Sequence, residues 1–423
     1  MIPAVYAYSV LFFASIFPTS FVFAGEMEKL VTSALENDSG VKSHLFLEQS
    51  ASDNIDTAKW QFYPTPALTL QSAVAGFEDT ASERVLTLSV RQPLWDGGRL
   101  KAGVERAQTD LIRQTNATQA KRIELAQQVI YKYSAWWVSQ SKHASWNKAL
   151  DIHEDLVQQV SRRVEVGVSA ASDLSLAQGR LAATLAERDL SRAQEDSALG
   201  DLKSLIHLPS LQLSPTPHLP DAANINLTFS QLAERLVSVN LDLKQARNKA
   251  NQASIDQRVQ KASVWPTVQL QAERQIGDLN QSGYTPENKI FVSVSSELKP
   301  GLSFMTDNSS SAAAYSAALE QVESEKARVT RKLKSDFILL TAAENRHEAL
   351  QLAKQNALSG YESSTRQFKA GRKSWQELLN SARELAQADA QWVDAYGQYL
   401  VAAWQMLLDT QGLSFLVGEQ SDA

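Results

Sequence analysis

The chain has 423 residues and no cysteine, which excludes thiol catalysis, disulfide staples and a lipidated N-terminal cysteine. Its 41 Lys and Arg against 47 Asp and Glu leave a net charge of −6 without any basic run, which argues against a nucleic-acid partner. The length fits roughly two or three ordinary domains or one elongated body.

In chain order, residues 1–24 (MIPAVYAYSVLFFASIFPTSFVFA) carry no Asp, Glu, Lys or Arg and end in small residues at Val22 and Ala24. This predicts an exported chain with signal-peptide cleavage after Ala24; the n-region lacks a cation, and an uncleaved membrane anchor is the alternative. No later stretch approaches ~18 consecutive apolar residues, so no further membrane helix is expected.

A helix is predicted over residues ~27–58. Two alternating segments follow, with Leu68, Leu70 and Val74 on one face of the first and Leu86, Leu88, Val90 and Leu94 on one face of the second. Period two means one apolar and one polar face, and the polar connector 76–83 makes the pair a hairpin. PLWDGG (93–98) then opens a helical run in which apolar positions step by three and four, with no proline between 94 and 208. A helix of roughly 65–70 residues is about 100 Å long, beyond a globular core, and calls for coiled-coil-like packing. Gly167 interrupts it and a return helix runs to about Ile206. The segment 208–221 holds four prolines and cannot continue a helix.

The chain then repeats itself. A shift of 204 residues superposes Gly167 on Gly371, Gly97 on Gly301 and Tyr133 on Phe337, and a shift of 202 superposes Tyr63-Pro-Thr65 on Trp265-Pro-Thr267. A period this long is a duplicated structural unit rather than a solenoid repeat. The second unit predicts a helix over ~228–262, strands led by Val268, Leu270, Ile290, Val292 and Val294, and a second helical hairpin. The domain reading is 25–221 (strands about 62–76 and 84–94, hairpin 97–208 with its tip at Gly167, linker 208–221). The second unit is 222–423 (strands about 266–276 and 288–298, hairpin 305–412 with its tip at Gly371).

Four strands in one sheet leave two unpaired edges, which lipid cannot satisfy. Several chains sharing a closed barrel would solve this; a soluble helical rod with a small capping sheet is the alternative. The fold class is therefore mainly α with transmembrane β. Six histidines are scattered without metal-ligand spacing, and no phosphate loop, dinucleotide fingerprint or nucleophile elbow occurs. No enzyme, metal or cofactor is expected. Tryptophans 95, 136, 137, 146, 375, 392 and 404 read as packing residues, and Tyr63 and Trp265 as aromatics at the rim of a barrel.

QPLWDGGR (92–99), the paired tips VEVGVSAASDL (164–174) and FKAGRKSWQELLNSARELAQAD (368–389), and the duplication together resemble the TolC family of bacterial outer-membrane efflux and secretion ducts. The resemblance covers essentially the mature chain. It implies a homotrimer in the outer membrane, with a twelve-stranded barrel, a long periplasmic helical tunnel and no catalysis. It also implies a periplasmic adaptor and an inner-membrane ABC transporter or other pump as partners, and an exported protein or small molecule as cargo. AGRKSW and ELKPGLSF resemble, more narrowly, the LapE- or AggA-like branch serving type I secretion of large adhesins; drug efflux through the same duct is the alternative, and a non-channel periplasmic scaffold a further one.

By the same resemblance, Pro93, Asp96, Gly97, Gly98 and Gly301 form the strand-to-helix junctions, and Gly167 and Gly371 the tip turns. Asp173 and Glu377, each six residues after its tip glycine, match acidic gate positions, and Lys373 matches a gate-tying arginine. Phe368 stands where some members carry a gate tyrosine, and Asn380 where some carry a second acidic ring. The plainer alternative is that Asp173 and Glu377 sit in first turns of helices, where the dipole favours carboxylates, and that Arg372 and Lys373 are solvated charges facing an adaptor.

Overall fold

A computed structural model describes residues 25–72, 84–208, 213–214, 217, 219–220, 228–277, 287–296 and 303–417. The predicted signal peptide, Gly301, most of the proline-rich linker and most of both hairpin connectors lie outside the described residues.

The first unit runs α1 (Glu26–Asn37), α2 (Ser39–Trp60), β1 (Thr65–Ser72), β2 (Arg84–Trp95), α3 (Arg99–Glu165) and α4 (Ala171–Ile206). The second runs α5 (Phe229–Val239), α6 (Leu241–Ala262), β3 (Thr267–Ile276), β4 (Glu287–Ser295), α7 (Phe304–Lys369) and α8 (Trp375–Gln411), then one turn, α9 (Ser414–Val417). Each single helix expected ahead of a hairpin is in fact two. Asp38 and Asn240 leave helical geometry with ψ of 125° and 123°. Their side chains accept the N–H of Val41 and Leu243 at 2.7 and 2.9 Å, capping a new helix in each unit. The two breaks lie 202 residues apart, as the duplication requires.

The long helices α3 and α7 run the length of the molecule, and shorter helices stack end to end beside them. Near the strands the lateral order is α2, α3, α6, α7; towards the tips it is α4, α3, α8, α7. Packing follows a seven-residue period: Leu379, Ala386, Val393, Leu400 and Leu407 are all buried on α8. On α4 the equivalent seam is Ala177, Thr184 and Ser191.

The largest core lies midway along the helices. There Leu30 and Val31 of α1 meet Leu125, Val129, Ile130 and Tyr133 of α3, Leu202 and Ile206 of α4, and Leu400 and Leu408 of α8. Burying each such aliphatic side chain contributes about 1.5–3 kcal/mol. A second cluster joins Leu232 and Leu236 of α5 to Leu333 and Met406, and a third closes the tips. Of the tryptophans read as packing residues, Trp136, Trp137, Trp375 and Trp404 are buried. Trp95 is not: it is 46% exposed where β2 meets α3.

The strands form one antiparallel sheet in the order β1-β2-β3-β4, so among the described residues β1 and β4 have no partner on their outer sides. Leu68 pairs Leu88, Val90 pairs Ala272, Ala272 pairs Ile290, Leu270 pairs Val292 and Val268 pairs Val294. Because side chains alternate, these even-numbered residues share one face, while Thr87, Ser89, Gln271, Glu273 and Lys289 share the other. The apolar face is the exposed one: Leu68 is 70% and Ile290 78% exposed.

Candidate functional site

The two helix tips have the same turn. At the first, Gly167 (φ 75°) donates its N–H to Val164 O at 3.0 Å and Val168 donates to Arg163 O at 2.8 Å. At the second, Gly371 (φ 70°) donates to Phe368 O and Arg372 to Gln367 O, both at 2.9 Å. Each is a Schellman cap, which satisfies the last helical carbonyls only if one residue adopts left-handed geometry. That requirement is why glycine stands at both positions.

Beyond the turns the tips diverge. Ser374 caps α8: its hydroxyl accepts the Glu377 N–H at 3.3 Å, and Glu377 Oε2 accepts the Ser374 N–H and hydroxyl at 2.9 Å each. This is a capping box, for which Ser-x-x-Glu is the sequence signature. The bonds from the Ser374 backbone and hydroxyl hold the exposed Glu377 carboxyl below the usual carboxylate range, so it is charged at neutral pH. At the first tip the cap position is Ala170, which offers no side-chain bond, and Asp173 sits half-buried in the first turn of α4. Its carboxylate takes no hydrogen bond among the described residues.

The tip core consists of Leu156, Val160, Ala177, Trp375, Leu378 and Leu379, with half-buried Phe368 and Leu174 against it. The Arg163 guanidinium lies 5.9 Å from the Phe368 ring centroid, joining the two tips. Lys373 donates to the buried Ser364 hydroxyl at 2.9 Å, folding the second tip onto α7. The structure thus brings Phe368 and Lys373 into the packed tip while leaving Arg372, Glu377 and Asn380 exposed, with no hydrogen bond joining Glu377 to Asp173 or Lys373.

At the opposite end, Asp96 builds the strand-to-helix junction. Its carboxylate accepts the N–H of Gly98 at 3.0 Å and of Leu100 at 2.6 Å, satisfying the free donors that open α3. Gly97 (φ 72°) packs directly on the second unit: a Cβ there would lie 2.9 Å from Trp265 Cβ and 3.1 Å from Ala262 O. Arg99 reaches across to the Thr267 hydroxyl, and Pro93 sits beside a register shift between β2 and β3. Trp95 and Trp265 meet edge to face at 6.0 Å. With Trp60 and Tyr63, these exposed aromatics gather where the sheet meets the helices.

Two contacts were missed from sequence. Lys373–Ser364 joins residues on opposite sides of a turn. Midway along the helices, Asp389 of α8 accepts from Ser145 of α3 and pairs with Lys354 of α7 at 2.5 Å, while that ammonium lies 4.0 Å from the Trp392 centroid. A second row at seven-residue spacing on α8, which puts Asp389 in line with Trp375, Ala382 and Ala403, is the signal that could have flagged the second. Among the described residues no group of His, Asp or Glu is arranged to hold a metal ion, and no helix is long and apolar enough to cross a membrane.

A duplicated hairpin pair on a sheet with an exposed apolar face defines a class of fold, the one shared by the outer-membrane proteins with which this chain superposes. A membrane protein from Pseudomonas aeruginosa superposes with a TM-score of 0.78 at 18% identity, covering 92% of this chain and 90% of that one. The outer membrane protein VceC of Vibrio cholerae gives 0.76 at 16%, over 91% and 96%. The open-state outer membrane channel MtrE of Neisseria gonorrhoeae gives 0.73 at 15%, over 91% and 88%. Residues 30–206 match the family described as outer membrane efflux protein. No curated protein matches by sequence.

Proposed function

We propose that the chain is one subunit of a trimeric outer-membrane duct of the TolC family, conducting cargo across the periplasm and outer membrane without chemistry. One observation carries this reading: a four-stranded sheet that exposes its apolar face and leaves both edges unpaired. Water disfavours that face and lipid forbids those edges, so the sheet is complete only as a sector of a closed barrel in a bilayer. The helical part is open in the same way. Leu185 and Leu190 on α4 and Phe46 on α2 are exposed along one edge, and Leu319, Leu339 and Leu352 of α7 along the other. Joining one edge to the other head to tail generates a ring.

The strands sit in the outer membrane and the helices extend into the periplasm, where the tips meet an adaptor linked to an inner-membrane pump. The cargo is a large secreted surface protein, a reading supported by AGRKSW at the second tip. Asp173, Glu377, Lys373, Arg372, Phe368 and Asn380 line the gate at the tips. Glu377 spends one oxygen on its cap and keeps the other free, and its lowered pKa keeps it ionised. Three such charges around a narrow axis favour cations.

Planar-bilayer conductance of the purified chain tests the duct directly; cation-favouring pores are expected, and no pores under any condition would leave a periplasmic scaffold instead. Glu377→Ala should weaken block of those pores by divalent cations, and unchanged block would confine Glu377 to its capping role. Loss of surface adhesin, with drug resistance unchanged, in a strain lacking the chain would support the secretion cargo; the reverse would support efflux.

A further inference from the structure

The apolar face of the sheet carries one charge on β3 that its surroundings do not explain. Arg274 lies on the even-numbered face in the row Leu68, Leu88, Arg274, Asn288. It is exposed and has no hydrogen bond or ion pair among the described residues. The charged side chains Glu273 and Lys289 next to this row point to the opposite face, and Lys289 pairs with Glu287 there at 3.0 Å. Gln92, a polar residue on the same face of β2, is by contrast satisfied, donating to Phe62 O at 2.7 Å and Pro93 O at 3.0 Å.

Position gives the unpaired guanidinium a meaning. β3 starts at Thr267 beside the helices and ends at Ile276, so Arg274 is two residues from the end farthest from the helices. That displacement is about 7 Å along the strand. An arginine on the lipid face is costly at the bilayer midplane and nearly free at its boundary, which its long stem reaches by snorkelling outward. If the helices are periplasmic, that boundary is the external one. A guanidinium presents a planar fork suited to two phosphate oxygens. The Asn288 amide, its cross-strand partner, supplies a further donor from β4.

We infer that Arg274, with Asn288, binds the phosphomonoester headgroup of a lipid in the outer leaflet, a group that the phosphodiester of phosphatidylcholine does not supply, and so fixes the depth of the barrel. The inference rests on the barrel reading above. The test uses the full purified chain in phosphatidylcholine vesicles titrated with lipid A, with inorganic phosphate at equal concentration as competitor. Wild type should bind lipid A, and Arg274→Leu should weaken binding about tenfold, the loss of one charge-assisted contact. Asn288→Ala should weaken it less, and Arg274→Lys should retain part of it. Arg91→Leu, which removes a cation from the opposite face of β2, should leave it unchanged, and inorganic phosphate should not compete. Equal binding by wild type and Arg274→Leu, an equal loss in Arg91→Leu, or displacement by inorganic phosphate would each overturn the inference while leaving the barrel standing. Failure of wild type to insert into vesicles would remove the barrel and this site with it.

Discussion

The two tips share a turn but not a foundation. Both end their long helix with a Schellman cap on glycine, yet the return helices that leave those turns are held differently. On α8, Trp375, Leu378 and Leu379 are buried within the first five residues. The equivalents on α4, 204 positions earlier, are Ala171, Leu174 and Ser175, of which Leu174 is half-buried and the other two exposed. The cap differs in the same sense: Ser374 and Glu377 close a box, while Ala170 offers nothing to Asp173. Lower on α4 the seam passes through Ala177, Thr184 and Ser191, residues that bury little apolar area. The two units therefore share one backbone at the tips, while within the single chain α8 is the anchor and α4 the looser neighbour. For the duct proposed above, opening at the tips would displace the helix with the weaker hold most cheaply.

The largest expected break in this contrast is Trp375→Ala. Removing a buried indole costs about 3–5 kcal/mol where the site cannot collapse. The loss should fall on the second tip, seen as amide exchange about 100- to 1,000-fold faster or more over the first turns of α8, because local opening free energy sets exchange. Exchange in α4 should change far less. Equal acceleration of both tips would mean that they open as one unit and that the asymmetry has no mechanical consequence.

Acid should act on the other hairpin first. His153 on α3 is 2% exposed; its Nδ1 lies 2.9 Å from Ala149 O and 3.1 Å from the Thr184 hydroxyl of α4. Burial pushes its pKa below the usual histidine range, opposed by the Ala149 bond and aided by the Arg180 charge. The unfolded chain then binds the proton more readily than the folded one. Stability of the α3–α4 contact is accordingly present above the ordinary value of 6.5 and lost as pH falls below it. The equivalent position on α7 is Ala357, and shifted carboxyls of the second hairpin act otherwise. Burial raises Asp409 above its ordinary 3.8, so protonating it costs the fold nothing, and Glu377 titrates only below its ordinary value of 4.5. Exchange measured at pH 7.5 and 5.5, corrected for intrinsic rates, should show loosening confined to α3 and α4, abolished in His153→Gln. A uniform response of both hairpins would place the acid sensitivity elsewhere.

How much of this the sequence carried depends on the range of the interaction. The strands and their faces were legible because Leu68, Leu70, Leu86, Leu88 and Val90 alternate, and alternation is a local property of the backbone. The duplication was legible because Tyr63-Pro-Thr65 and the tip glycines recur at constant offset. The breaks at Asp38 and Asn240 were not, because a capping side chain can restart a helix without disturbing the apolar period around it. Ser374 and Glu377 carry the Ser-x-x-Glu signature of a capping box and so are legible as a pair, while the sequence reading gives only Glu377, as an acidic gate position or a favourable charge in a first turn. Lys373–Ser364 and Asp389–Lys354–Trp392 were out of reach, since each requires knowing which faces of separate helices meet.

The smallest effect tests whether the caps alone carry part of the asymmetry. Ser374→Ala removes the hydroxyl that closes the box and should cost the second tip about 1 kcal/mol, a common price for losing an N-cap. Ala170→Ser makes the converse change, placing a hydroxyl three residues before Asp173 and offering the first tip the box it lacks. The two substitutions should move amide exchange at the start of α8 and of α4 in opposite directions by similar factors, about fivefold each. If Ala170→Ser leaves α4 unprotected while Ser374→Ala still frays α8, the cap at the second tip works only on the foundation of Trp375. The buried indole, rather than the capping box, is then what separates the two tips.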